Sequence, residues 1–202
     1  MTLALAVLGD SIAFGLGAAH PDDTVGSRLA AALTRAGTPT VVRVFAVSGA
    51  RSDALAAQAA GAVAWRADVA LIIIGANDLT HFVPAELAAT QLGGAVRALR
   101  AAGSQVVVCP APDLSVVPWV PPNMRALVRA ASAQLRQAQT IAASAAGARI
   151  AEIQSDSDAA SAADLRLFSA DRFHPSSAGY AVIADALGPA VSAAAEAVSG
   201  QI

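Results

Sequence analysis

Residues 3–11 read LALAVLGDS, an uninterrupted apolar run that stops at a glycine, an acid and a hydroxyl. Runs of the same kind recur as VVRVFAV (41–47), VALIIIG (69–75), QVVVCP (105–110) and ARIAEI (148–153). They are continuous rather than alternating, as expected of strands covered on both faces of a sheet. Helix-patterned segments separate them. Residues 22–37, DDTVGSRLAAALTRAG, carry acids at the start and a glycine at the end, where helix termini favour them. Segments 52–65, 84–103 and 121–147 follow, and a last helix is expected over about 175–197. Strand alternating with helix five times predicts an α/β fold, a three-layer α/β/α sandwich around a central five-stranded parallel sheet. The 202 residues show no internal repeat and no linker composition, so a single domain over 1–202 is expected. The polar stretch 154–170 reads as a long loop.

Composition removes several function classes. The formal net charge of −2, with no arginine-rich face interleaved with aromatics, argues against a nucleic-acid partner. Every basic side chain other than histidine is arginine. Without lysine there is no phosphate-loop lysine, no Schiff base and no lysine nucleophile. The single cysteine, Cys109, lies in an apolar run and reads as a small buried hydrophobe. It cannot form an internal disulfide, and the N-terminal MTLALAVLG lacks the basic region of a secretory signal, so a cytoplasmic location is expected. The long charge-poor stretches are alanine-rich and broken by Gly, Pro or Ser, so no membrane span is expected. Heptads and an obvious interface stripe are absent, and the pattern sets no oligomeric state.

In parallel sheets of this kind, ligands collect outside the carboxyl ends of the strands. Gly9-Asp10-Ser11 follows the first strand, Gly49 the second, and Gly75-Ala76-Asn77-Asp78 the third. Asp171-Arg172-Phe173-His174-Pro175 precedes the last helix. A serine, a glycine amide, an asparagine amide and a histidine are thereby directed to one sheet edge. Those are the parts of an acyl-transfer site: a nucleophile, a base and donors for an oxyanion. Each part also has an ordinary explanation. Ser11 suits a helix cap, Gly49 a positive φ, and Asn77 an Asx turn. Asp10 and Asp78 read as acceptors that hold loops.

Taken together, the blocks Gly9-Asp10-Ser11-Ile12, Gly75-Ala76-Asn77-Asp78 and Asp171-Arg172-Phe173-His174-Pro175 resemble those of the SGNH hydrolases, also called GDSL-type esterases. Order, spacing and placement at strand ends match from residue 5 to about 180. The departure is Ile12 in place of leucine, a mild apolar exchange. The resemblance implies a flavodoxin-like sheet and a serine esterase that needs no cofactor. It implies Ser11 as nucleophile, His174 as general base and Asp171 as the acid that orients His174. It implies an oxyanion hole made of the Ser11 and Gly49 N–H groups and the Asn77 amide. Residue 13 is alanine, so this is not the Gly-x-Ser-x-Gly elbow of the larger α/β-hydrolases.

Of the other histidines, His20 reads as a loop residue. His81 is a rival base and a candidate pocket-lining residue, with His174 favoured by Asp171, Pro175 and the helix that follows. The three histidines are too scattered for a metal site. The segment PAPDLSVVPWVPPN (110–123) has five prolines and places Val116, Val117, Trp119 and Val120 beside the expected crevice. Val117 and Trp119 are candidate walls for an acyl chain, and the same side chains also suit a simple cover over the sheet edge. The expected activity is hydrolysis of a small-molecule ester with a small or medium acyl chain through an acyl-enzyme on Ser11. Transfer to an alcohol acceptor, or a non-catalytic binding module, are the alternatives.

Overall fold

The computed structural model describes residues 2–118, 120–151 and 164–200. Five strands, β1 (Leu3–Gly9), β2 (Thr40–Val44), β3 (Val69–Ile73), β4 (Gln105–Cys109) and β5 (Arg149–Ile150), form one sheet in the order β2-β1-β3-β4-β5. All pairs are parallel, with Leu5 opposite Val42 on one side and Val69 on the other. Among the described residues, seven helices accompany them: α1 (Ser11–Phe14), α2 (Val25–Arg35), α3 (Leu55–Ala64), α4 (Ala76–Thr80), α5 (Ala85–Ala101), α6 (Arg125–Ala145) and α7 (Ser177–Ser199).

Successive side chains of a strand point to opposite faces, and the core divides accordingly. Leu5, Val7, Leu71 and Ile73 meet α2 and α7 on one face. Ala6, Leu8, Ala70 and Ile72 meet α3, α5 and α6 on the other. The expected three-layer sandwich and flavodoxin-like strand order are therefore present. The chain steps from β1 outward to β2, then back past β1 to β3, and the right-handed crossover rule moves the connecting helices to the opposite face at that reversal. The crevice opens where β1 and β3 send their loops apart.

Two strands differ from expectation. β2 ends at Val44 rather than continuing to residue 47, and Val41 and Val44 are half exposed because β2 is a sheet edge. The fifth strand is two residues long, and residues 152 and 153 of the expected run lie outside the described residues. Residues 154–163 of the expected loop also lie outside them, and from Leu165 to Leu167 the chain makes a 3-10 turn.

Within α7, Ser177–Val198 is long and apolar enough to cross a membrane, with a mean hydropathy of 1.4. It meets this test by length and composition only, as a core helix can. Its Tyr180, Ala184, Leu187, Val191 and Ala194 side chains are buried against β1, β3 and β4. That packing is what a core helix of a sandwich requires.

Candidate active site

β1 cannot turn into α1 with any side chain at residue 9. Gly9 has φ 134°, and a Cβ there would stand 1.7 Å from the Ile73 carbonyl oxygen. The turn delivers Asp10 as the cap of α1, its carboxylate accepting the Ile12 N–H at 3.0 Å, and places Ser11 at the first helical position. Ser11 Oγ lies 3.1 Å from His174 Nε2. The other ring nitrogen, Nδ1, is 2.6 Å from Asp171 Oδ2. Asp171 Oδ1 accepts from Ser169 Oγ (2.7 Å) and from the N–H groups of Phe173 (2.9 Å) and His174 (3.0 Å).

The loop carrying Asp171 and His174 is itself pinned. Phe168 and Pro175 form an antiparallel bridge, and the Ser169 N–H donates to the His174 carbonyl at 2.8 Å. The His174 and Phe173 rings meet in a T-shaped pair, 4.8 Å between centroids. Burial pushes the Asp171 carboxyl up, but bonds from His174, Phe173 and Ser169 outweigh it and hold the group below the usual carboxylate range. An ionised Asp171 can only accept, so His174 carries its ring proton on Nδ1 and leaves an Nε2 lone pair facing Ser11.

The loops after β2 and β3 are tied to each other. The Ala50 N–H donates to the Val47 carbonyl at 3.0 Å, closing a turn with Gly49 third at φ 82°, the conformation a type II turn requires. Asn77 Nδ2 donates to the Ala50 carbonyl at 3.1 Å, which fixes the amide's orientation and, among the described residues, leaves its second N–H uncommitted. Asp78 is fully buried and accepts from Ser52 N–H (3.1 Å) and Oγ (2.9 Å). Among the described residues, the Ser11 and Gly49 N–H groups have no protein acceptor. Asp10 joins the third loop to these two. Burial pushes its carboxyl up to about 6, against the lowering effect of the Ile12, Gly75 and Ala76 N–H groups, and the nearby Asp78 charge adds to the rise.

Beside Ser11 and His174 lies a cavity of about 140 Å³ whose walls are mostly apolar. Val116 and Val117 line it, as do Ile73, Phe173 and Ile183, which the sequence pattern did not single out. Val120 instead packs beside Ala76, Leu114 and Val117. Trp119 lies outside the described residues. His81 does not line this cavity. It follows α4, with Nδ1 2.9 Å from the Asn77 carbonyl, and borders a separate depression with Arg51 and Phe82. His20 is exposed and accepts the Asp22 N–H at 3.2 Å.

Two buried glutamines were not anticipated. Gln58 of α3 accepts the Gly9 N–H at 2.7 Å and donates to the Gly9 carbonyl at 3.0 Å. Gln139 of α6 accepts the Ala111 N–H at 2.7 Å and donates to the Ile74 carbonyl at 3.2 Å. They satisfy backbone groups where strands have ended and ladder partners run out. No motif announces them, since a glutamine on an alanine-rich helix looks like a solvated position. Tyr180, also fully buried, donates to the Leu16 carbonyl at 2.8 Å and ties the segment after α1 to α7.

Comparison with known proteins bears on the family and the fold. Residues 7–182 match the model of the GDSL-like Lipase/Acylhydrolase family. A GDSL-like esterase of Mycobacterium tuberculosis is 36% identical over 187 residues, covering 91% of this chain and 60% of that protein. The chain thus spans about three fifths of the length of that curated relative. A psychrotrophic esterase from Pseudoalteromonas sp. shares the fold with a TM-score of 0.73 at 20% identity, covering 94% of this chain and 96% of its own. An acetylxylan esterase from Geobacillus stearothermophilus does so with a TM-score of 0.75 at 18% identity, covering 95% of each chain. By the extent of the family match, the chain belongs to the GDSL-like lipase/acylhydrolase family.

Proposed function

We propose that this protein is a carboxylic ester hydrolase that works through an acyl-enzyme on Ser11. The observation that carries this reading is the continuous path Ser11 Oγ–His174 Nε2 (3.1 Å) and His174 Nδ1–Asp171 Oδ2 (2.6 Å). Ser11 Oγ attacks the ester carbonyl while its proton passes to His174 Nε2, and Asp171 stabilises the imidazolium. The carbonyl oxygen becomes an oxyanion facing the Ser11 and Gly49 N–H groups and the second N–H of Asn77. Collapse breaks the bond to the alkoxy oxygen, which takes the proton from Nε2 and leaves as alcohol. Water, deprotonated by the same nitrogen, then attacks the acyl-enzyme, the bond to Ser11 Oγ breaks as Oγ takes the proton back from Nε2, and the acid is released.

The apolar cavity is where the acyl chain would lie. A cavity of about 150 Å³ is known to accommodate benzene, so about 140 Å³ suits a chain of roughly six carbons. This favours small to medium acyl groups.

The test is covalent labelling by a fluorophosphonate, located by mass spectrometry, alongside p-nitrophenyl acetate hydrolysis. Label on Ser11 is expected, and Ser11→Ala and His174→Ala should each lower kcat by at least ~10⁴-fold. The double variant should be little worse than either single one, because the two groups act as a unit. Label on another residue, or additive losses, would overturn the assignment. Activity should survive chelators, and its loss in EDTA with recovery on adding a divalent cation would reject the serine mechanism.

A further inference from the structure

We propose that the depression beside His81 is the subsite for the alcohol half of the ester, shaped for a polyhydroxylated alcohol such as a sugar or polyol. The inference rests on the esterase reading above and adds a substrate class to it. An ester has two halves, and the acyl cavity, lined in part by Ile183 of α7, lies toward the α2/α7 face of the sheet. The second depression, about 320 Å³, is lined by Arg51, Asp53, His81, Phe82, Leu87 and Gln91, toward the α3/α5 face. Ala76 lines the acyl cavity and Asp78 the depression, so the loop after β3 borders both hollows. The depression is joined directly to the loops that carry Gly49 and Asn77. Arg51 follows Ala50, whose carbonyl takes the Asn77 amide, and His81 bonds the Asn77 carbonyl.

Phe82 is the decisive residue. The bonds Val83 N–H to Asp78 carbonyl (2.9 Å) and Phe82 N–H to Leu79 carbonyl (3.2 Å) close α4 with the paired pattern of a Schellman ending. Phe82 occupies the left-handed position of that ending, at φ 55°, where glycine is the unstrained choice. A bulky residue accepts strain there, and the side chain returns nothing to the fold, being 91% exposed. Strain held by a side chain that packs against nothing in the protein points to a contact made with a ligand.

The neighbouring groups define that ligand. The Asn77 carbonyl only accepts, so His81 donates through Nδ1 and presents Nε2 as an acceptor. The exposed Arg51–Asp53 pair, at 3.2 Å, offers donors and acceptors side by side, and Gln91 offers both. A molecule with hydroxyls around its rim and an apolar C–H face matches these groups together with the face of Phe82. A plain alkyl alcohol would leave them unused.

The experiment compares 6-O-butyryl glucose with ethyl butyrate, two esters of the same acid, on the wild-type chain and on Phe82→Gly. In the wild type, kcat/KM for the glucose ester should exceed that for ethyl butyrate by about tenfold or more. Phe82→Gly should cut that ratio about fivefold or more while raising Tm by about 2–4 °C, because glycine relieves the strain. A wild-type ratio near one, a ratio that Phe82→Gly leaves intact, or a Tm that falls in the variant would each overturn the inference. Ethyl butyrate hydrolysis that Ser11→Ala abolishes, without the ratio, removes only the subsite. If neither ester is turned over, the esterase reading falls with it.

Discussion

Gln58 holds both backbone groups of Gly9, accepting its N–H at 2.7 Å and donating to its carbonyl at 3.0 Å. β2 has ended by this point, so no neighbouring strand is left to take the Gly9 N–H, and the residue lies two positions before Ser11. Gln58→Leu keeps the volume and removes both bonds. The Gly9 carbonyl keeps the Val47 N–H at 3.1 Å, so only the Gly9 N–H is left unsatisfied, and the variant should lose about 1–3 kcal/mol of stability, read as a shift in the urea midpoint. Catalysis should fall with it, because the turn that aims Ser11 loses its brace. A variant as stable and as active as the wild type would mean that the clamp is incidental.

What the sequence discloses follows from length and periodicity. β1, β3 and β4 are legible because both of their faces are buried, and the run of apolar residues says so. β2 and β5 lie at the sheet edges, where half-exposure and sheer shortness blur the pattern. α1 and α4, at four and five residues, are too short to show a helical period, yet they carry Ser11 and Asn77. Ser11, Asn77, Asp171 and His174 stood out through their motifs rather than through any propensity. Gln58, Gln139, Tyr180 and Phe82 did not, because their meaning lies in a partner far along the chain or in a backbone angle.

Asn77 offers a second test. One amide N–H is committed to the Ala50 carbonyl, which orients the other without any rearrangement during reaction. Asn77→Ala should lower kcat by about 10²–10³ with little change in KM, the mark of an interaction made in the transition state. A loss confined to KM would place Asn77 in ground-state binding and vacate the oxyanion role.

Asp10 couples the site to pH through stability. Its folded-state value, about 6, lies above the ordinary 3.8, so the folded protein binds this proton more tightly than the unfolded chain does. Stability from this group is therefore fully retained below about 4 and declines as pH rises to about 6, by an amount on the order of 3 kcal/mol. Asp10→Asn cannot ionise and keeps an oxygen for the Ile12 N–H. The variant should gain on the wild type as pH is raised from 4 to 7, in parallel urea titrations. A difference in stability that stays constant across that range would show that Asp10 does not titrate there.

On the proposed reading, the apolar cavity sets a length limit as well as a preference. Each buried methylene contributes roughly 0.8 kcal/mol at most, so lengthening a p-nitrophenyl ester from acetate to butyrate to hexanoate should raise kcat/KM several-fold in total. Part of that gain is offset by ordering the chain. Beyond the roughly six carbons that about 140 Å³ accepts, the next methylenes meet side chains already at van der Waals contact, and the gain should stop. Ile183 of α7 and Val117 line this cavity from different elements, α7 and the loop after β4. Ile183→Trp fills space at constant polarity, so it should shift the optimum toward acetate and lower the hexanoate-to-acetate ratio about tenfold. Val117→Ala opens space and should move the optimum the other way. If both variants leave the ratio where it was, the acyl chain lies outside this cavity, and the apolar walls serve only to close the sandwich over the ends of β3 and β4.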